Sequence, residues 1–289
     1  MKSILVAVSG TKSDDAVLDA AYAVARPLNA HLDFVHLPLN TIDPSDYNSH
    51  IEFARGDAVE TALRETSLNT QDAVAKARAH VTHYCRSNKI PKVSLPAAAG
   101  QITASWISNP ISTGTEGLIK VARTHDLTIV GRSAAGRSWS RSLLEALATE
   151  TGRPVLIVPH DCREMTLGTA AVWWKDHAAA ARALTAALPL LRAAERVILV
   201  SVPEDAGSST DSLSELSDQL GWHGINAVVE ALDRDHRSTD RILWAASLSR
   251  QANFVVMGGF SRSRIKEVLF GGCTQSVLED GVRPVFMLH

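Results

Sequence analysis

Cysteine is scarce in this chain. Cys85, Cys162 and Cys273 are the only three in 289 residues, and no CxxC pair occurs. An odd, unpaired set excludes a disulfide framework and suits a reducing cytosol. An excess of charge of one sign is also missing, since 29 Lys and Arg stand against 31 Asp and Glu, leaving −2. That balance gives no reason to expect nucleic acid or an anionic membrane as a partner. No apolar run is long enough to cross a bilayer, and MKSILVAVSG carries too few apolar residues before its turn to serve as a secretory signal. A Walker A sequence, a dinucleotide fingerprint and HExxH are absent as well. The expectation is a soluble cytoplasmic protein, long enough for two domains.

What is present is concentrated between Phe254 and Thr274, FVVMGGFSRSRIKEVLFGGCT. The apolar run Phe254 to Met257 reads as a buried strand that stops at Gly258-Gly259. A basic segment with Arg262, Arg264 and Lys266 follows, and a second pair, Gly271-Gly272, opens a helical pattern at Cys273 and Thr274. Glycines let the main chain approach a phosphate, while free N–H groups and the helix dipole favour negative charge. The pattern therefore points to a bound phosphate compound, a nucleotide above all. The plainer alternative is that the glycines only shape a turn and cap a helix.

The chain runs through one plan twice. SILVAVSG opens the first copy as a strand, and a helix is expected from about Asp14, with Ala16, Val17, Ala20, Ala21 and Val24 on one face. HLDFVHL is a second strand. LTIVG, a helical stretch and RPVLIVP close the copy. The second copy opens at TAAVWWKD, continues into HAAAARALTAALPLL, which Pro189 should end or kink, and then gives RVILVSV. FVVMG, the glycine loops, a helix and RPVFML complete it. Such ordered self-similarity indicates duplication, although residues 40–105 hold more material than their counterpart. Strands alternating with helices imply parallel sheets covered on both faces, with ligands at the strand carboxyl ends, where Gly10, Gly131 and Gly258 fall.

These residues resemble a tandem universal stress protein along nearly the whole chain. The family's nucleotide motif is Gly, two residues, Gly, nine residues, Gly, then Ser or Thr. Gly258, Gly259, Phe260, Ser261, nine residues, Gly271 and Gly272 keep that spacing. Ser261 replaces the second glycine, and Gly272 stands where a hydroxyl residue usually binds phosphate, with Thr274 two residues on. The acidic residue that usually follows the first strand has become Lys175, after Trp174, and a lysine accepts no hydrogen bond.

The resemblance implies an α/β fold of two tandem doubly wound parallel-sheet domains, adenine nucleotide α-hydrolase-like and packed as a pseudo-dimer, spanning 1–160 and 166–289. It implies ATP in the second domain, with Met257, Gly258, Ser261, Gly271, Gly272, Cys273 and Thr274 lining a phosphate and ribose site. Val202 would lie near the base, Lys175 would pair with phosphate, and Trp174 offers a stacking surface. In the first copy Gly131 and Gly136 remain, but the later pair is Arg141-Ser142 and Ser9 replaces the acid. That copy reads as a structural partner.

Other constellations carry less. GRSAAG around Ser133 departs from a nucleophile elbow by one residue and has no acid–base partners. His80, His83 and Cys85 sit on a helix, with Cys85 off the face the histidines share, and read as surface residues rather than ligands. Cys273 at a helix start is placed where the dipole favours thiolate. Trp173-Trp174 ends a strand, and core packing accounts for at least one of them. Three functional readings follow: a nucleotide-binding regulatory or stress-response protein, a protein–protein interaction module that has lost the nucleotide, and a weak ATP-hydrolysing enzyme. The partners in view are an adenine nucleotide, an unidentified protein and a second copy of the chain.

Overall fold

The computed structural model describes all residues except 12, 38–56, 95–99, 109–113, 133–140, 164, 204–207, 235 and 260–271, with backbone alone for 57–70, 114 and 208–211. The first run of elements is β1 (Ser3–Val8), α1 (Asp14–Leu28), β2 (His31–His36), α2 (Asp57–Ser87), β3 (Thr103–Trp106), α3 (Gly114–Ala122), β4 (Leu127–Arg132), α4 (Arg141–Glu150) and β5 (Val155–Pro159). The second is β6 (Thr169–Trp173), α5 (Ala178–Ala193), β7 (Arg196–Ser201), α6 (Ser208–Trp222), β8 (Ala227–Ala231), α7 (Thr239–Ser249), β9 (Phe254–Gly258), α8 (Gly272–Asp280) and β10 (Val285–Leu288).

All ten strands of the described residues belong to one sheet, ordered β3-β2-β1-β4-β5-β10-β9-β6-β7-β8. Each run of five has the same internal order, and within a run every pairing is parallel. The runs join by antiparallel pairing of β5 with β10, Leu156 opposite Phe286. The repeated plan is therefore borne out, but the two expected sheets merge into one. The reason lies in the last strands: every residue of β5 and β10 is buried. A strand apolar on both faces belongs in the middle of a sheet, with a neighbour on each side.

Two apolar layers sandwich the sheet. One face carries α1, α2, α5 and α6, through side chains such as Val17, Val81, Leu184 and Leu216. The other carries α3, α4, α7 and α8, through Leu118, Leu144, Leu243 and Val277. At the seam α1 meets α5 on the first face, and α4 meets α8 on the second. Arg132, at the end of β4, donates to the main-chain oxygens of Glu279 and Gly281. A cation is thereby set at the negative end of the α8 dipole. Arg141 bonds Glu145 on its own helix and Glu279 across the seam.

The five predicted positions on α1 are all buried. Pro189, by contrast, does not end its helix, since α5 continues to Ala193. A proline inside a helix costs about 3 kcal/mol. Burial of Leu190 and Leu191 just beyond it offsets this, at roughly 1.5–3 kcal/mol each.

Candidate functional site

In the second run the connection direction reverses at β6, which has β7 on one side and β9 on the other. Ligands of open α/β sheets sit in the crevice outside the carboxyl ends at such a reversal. Here those ends are Trp173 and Met257, paired in register, followed by Trp174-Lys175 and Gly258. Cys273 and Val202 pack on the layer that holds Met257, and α8 begins there with Gly272, Cys273 and a buried Thr274. Lys175 is exposed and acts electrostatically on Cys273. Met257, Gly258, Gly272, Cys273, Thr274, Val202 and Lys175 are thus gathered at one end of the sheet. Ser261 and Gly271 lie outside the described residues, as do Arg262, Arg264 and Lys266.

Trp174 goes elsewhere. Successive strand residues point to opposite faces. Trp173 is buried beside Trp244, ring centroids 4.6 Å apart and edge to face, with its indole N–H on Ser247 Oγ at 2.9 Å. Trp174 packs on the other layer and donates to Ser212 Oγ of α6 at 2.8 Å. Its indole is turned away from the α8 layer.

The strand-ending glycines have a packing reason of their own. A Cβ on Gly258 would lie 2.6 Å from the Ala179 carbonyl carbon and closer still to the Ala180 nitrogen, at the start of α5. In the first copy a Cβ on Gly131 would meet Val17 Cγ2 of α1 at 2.8 Å. In both copies this glycine admits the helix that follows the first strand. Gly272 differs, for among the described residues a Cβ there would meet only Asp240 Oδ1, at 3.9 Å.

Asp240, in the first turn of α7, is the residue the sequence pattern did not bring to this site. It also overturns the thiolate expected at Cys273. Burial first, and then the Asp240 charge, push the thiol up to about 11, against a smaller opposing pull from Lys175. Being half-buried beside a carboxylate outweighs the helix dipole.

In the first copy the loop after the first strand, the counterpart of the Lys175 loop, is filled from within. Asp14, itself buried, accepts the main-chain N–H groups of Ser9 at 2.9 Å and Gly10 at 2.7 Å, and the Ser9 hydroxyl at 2.8 Å. Gly10 has φ +82, a backbone that favours glycine. A carboxylate of the chain occupies the donors that an anion would use. The signal was an acid six residues after the strand end. Ser133 and Gly136 lie outside the described residues.

A second cluster lies at the opposite, amino end of the first copy. Asp33 Oδ2 meets His125 Nε2 at 3.1 Å, and Oδ1 meets His31 Nε2 at 3.1 Å and the Ser105 hydroxyl. His125 Nδ1 faces the Val121 carbonyl at 2.8 Å, while His31 Nδ1 faces the Thr103 hydroxyl at 2.7 Å. A hydroxyl can donate, so one ring proton serves His31. The Thr124 hydroxyl also lies 3.3 Å from His125 Nδ1 but donates to Val121 O at 2.8 Å, so His125 faces acceptors with both nitrogens and needs two protons. Burial opposes its charge, yet the bonds to Asp33 and Val121, with the charges of Asp33 and Asp126, raise its pKa. Burial likewise opposes the Asp33 charge, but hydrogen bonds from His125, His31 and Ser105 hold it well below the usual carboxylate range.

His80 pairs with Asp15 at 2.8 Å, His83 is exposed, and Cys85 lies in the core rather than on the surface. Among the described residues no group of three or more His, Cys, Asp or Glu could hold a metal ion, and no helix is long and apolar enough to cross a membrane.

No family model and no curated protein matches the chain. Solved structures do. A universal stress protein from Archaeoglobus fulgidus DSM 4304 superposes with TM-score 0.68 at 16% identity, over 99% of this chain and 97% of that one. A functionally unknown protein from Pseudomonas aeruginosa PAO1 gives 0.52 at 13% identity, over 100% and 92%. A further structure, described as a putative universal stress protein from Pseudomonas aeruginosa UCBPP-PA14, gives 0.52 at 13% identity, over 100% and 93%. At these identities the likeness is one of architecture: the chain has the tandem α/β fold seen in the Archaeoglobus universal stress protein.

Proposed function

We propose that the protein is a nucleotide-binding regulatory module of the universal stress type, built of two domains, 1–160 and 166–289, with ATP held by the second. The observation that carries this reading is the meeting of Lys175, Gly258 and the amino end of α8, Gly272 to Thr274, at the carboxyl ends of β6 and β9. A helix amino terminus presents unpaired N–H groups and a positive dipole end, and a lysine beside it adds a full charge. Gly272 leaves room for an oxygen-rich group, and Val202 and Met257 supply apolar walls. Bound ATP would act as an effector, fixing the loop before α8 and so a surface that a partner reads.

One observation favours the second reading, an interaction module without nucleotide. Asp240 stands beside Gly272 and repels an anion there. Calorimetry with ATP, ADP and AMP decides between them. The expected result is micromolar ATP binding that Gly272→Val abolishes without a change in melting temperature. No heat up to millimolar nucleotide would sink the first reading. Phosphate release above that of the same variant would mark a weak ATPase instead of a sensor.

A further inference from the structure

The sheet ends in two unlike edges. At the β3 edge the outward main-chain groups of Ala104 are taken, for its N–H donates to Pro91 O and its carbonyl accepts from Val93 N–H, both at 2.9 Å. Residues 91–93 thus cover that edge, and Pro91 adds no donor. The β8 edge has no such cover among the described residues. Leu232 N–H donates to Ser201 O at 2.9 Å, and Ser201 stands opposite Ala231. In a parallel ladder this turns the main-chain groups of residues 228 and 230 toward β7, and those of Ala227, Val229 and Ala231 outward.

The side chains agree. Val228 and Val229, on opposite faces of β8, are 43% and 37% exposed. Glu230, the one charge on the strand, is taken by Arg250. An edge that is apolar on both faces, with no lysine, proline or cover, lacks the devices that keep edges from pairing. Beside it Trp222 ends α6 with 91% of its surface exposed, at the mouth of an open groove of about 640 Å³ that also holds Asp218, Ile225 and Asn226.

We propose that two copies of this chain associate through β8, antiparallel, about a two-fold axis at Val229. That register makes Val229 opposite Val229, and Ala227 opposite Ala231, hydrogen-bonded pairs, so every outward group of the strand is used. Charge selects the same arrangement. The ladder ends with Ala231 of the partner subunit opposite Ala227, so the exposed Arg234 of the partner subunit, three residues on, falls beside the groove that begins at Ala227 and carries Asp218 and the Trp222 ring. Covering the β3 edge excludes the head-to-tail alternative, which would grow into an open filament, whereas β8 with β8 closes at two.

Sedimentation equilibrium and a register-specific cross-link test this. Wild type is expected as a dimer at micromolar concentration. Trp222→Ala should raise the dissociation constant at least tenfold, and Val229→Lys should leave monomers with an unchanged melting temperature, since both side chains are exposed. Asp218→Arg should weaken association and its combination with Arg234→Asp restore it. Under mild oxidation Val229→Cys should give a disulfide-linked dimer and Val228→Cys much less, because only residue 229 faces itself at a bridgeable distance. A wild type monomeric at 100-fold higher concentration, or a dimer indifferent to Val229→Lys, would overturn the proposal, and association with a different protein through β8 instead would do so equally.

Discussion

Raising the pH from 6 to 9 should destabilise this protein through one residue, His125. Its two ring nitrogens face the Asp33 carboxylate and the Val121 carbonyl, so both bonds exist only while the ring carries two protons. Its folded pKa is raised, so the stabilisation is fully present below about 6.5, the ordinary histidine value, and is lost as pH climbs through the folded value. Asp33 works in the other direction. Its folded pKa is depressed, so its contribution holds above the ordinary carboxylate value and fades in acid. The two together place the cluster's full effect between about pH 4 and 6.5. Deprotonated His125 gives up one of the two bonds, and because Val121 O keeps the Thr124 N–H and hydroxyl as donors, the loss is that of a single hydrogen bond, about 0.5–1.5 kcal/mol. In a chain of this size that is roughly 1–6 °C of melting temperature. Melting curves at half-unit steps from pH 5.5 to 9 should be run on wild type and His125→Gln. The difference between them should be largest at pH 6 and shrink toward pH 9. A difference that stays constant across the range, or an NMR titration of His125 at or below the ordinary value, would refute the argument.

Three further outcomes follow from the site. Gly258→Ala forces a Cβ into the main chain of α5, so it should destabilise by about 1–3 kcal/mol in urea denaturation. Gly272→Val, which among the described residues meets only Asp240, should stay within about 0.5 kcal/mol of wild type in the same measurement. Cys273 should resist alkylation at pH 8. With its thiol near 11, the thiolate is roughly 200-fold rarer than in an ordinary cysteine, and mass-resolved iodoacetamide kinetics should show a comparable lag.

The strands that sequence pattern identifies are those buried on both faces. SILVAV, LTIVG and FVVM are unbroken apolar runs because parallel strands between two helical layers need apolar residues at every position. TASW and AVVEA escaped notice for the converse reason. They are the edge strands β3 and β8, short and half-wet, where the pattern has no reason to be strong. The candidate site divides in the same way. Its glycines and the start of α8 are contiguous with a strand and legible. Asp240 and Asp14 are not, because one arrives on a different helix and the other folds back from its own. Trp174 shows a third limit, since adjacent residues in a strand face opposite layers and proximity in sequence says little about a shared pocket.

The antiparallel seam between β5 and β10 changes what mutation can do. In a pair of identical subunits every substitution lands twice, once on each side of the two-fold axis, so neither site can change alone. Here the two sides are written in separate stretches of one chain, and each substitution falls once. One copy can fill the loop after its first strand with Asp14 while the other places an exposed Lys175 there, and the seam of β5 and β10 is untouched by either. The chemical tether also makes formation of the seam independent of protein concentration. Asymmetry becomes heritable here, at no risk of dissociation on dilution.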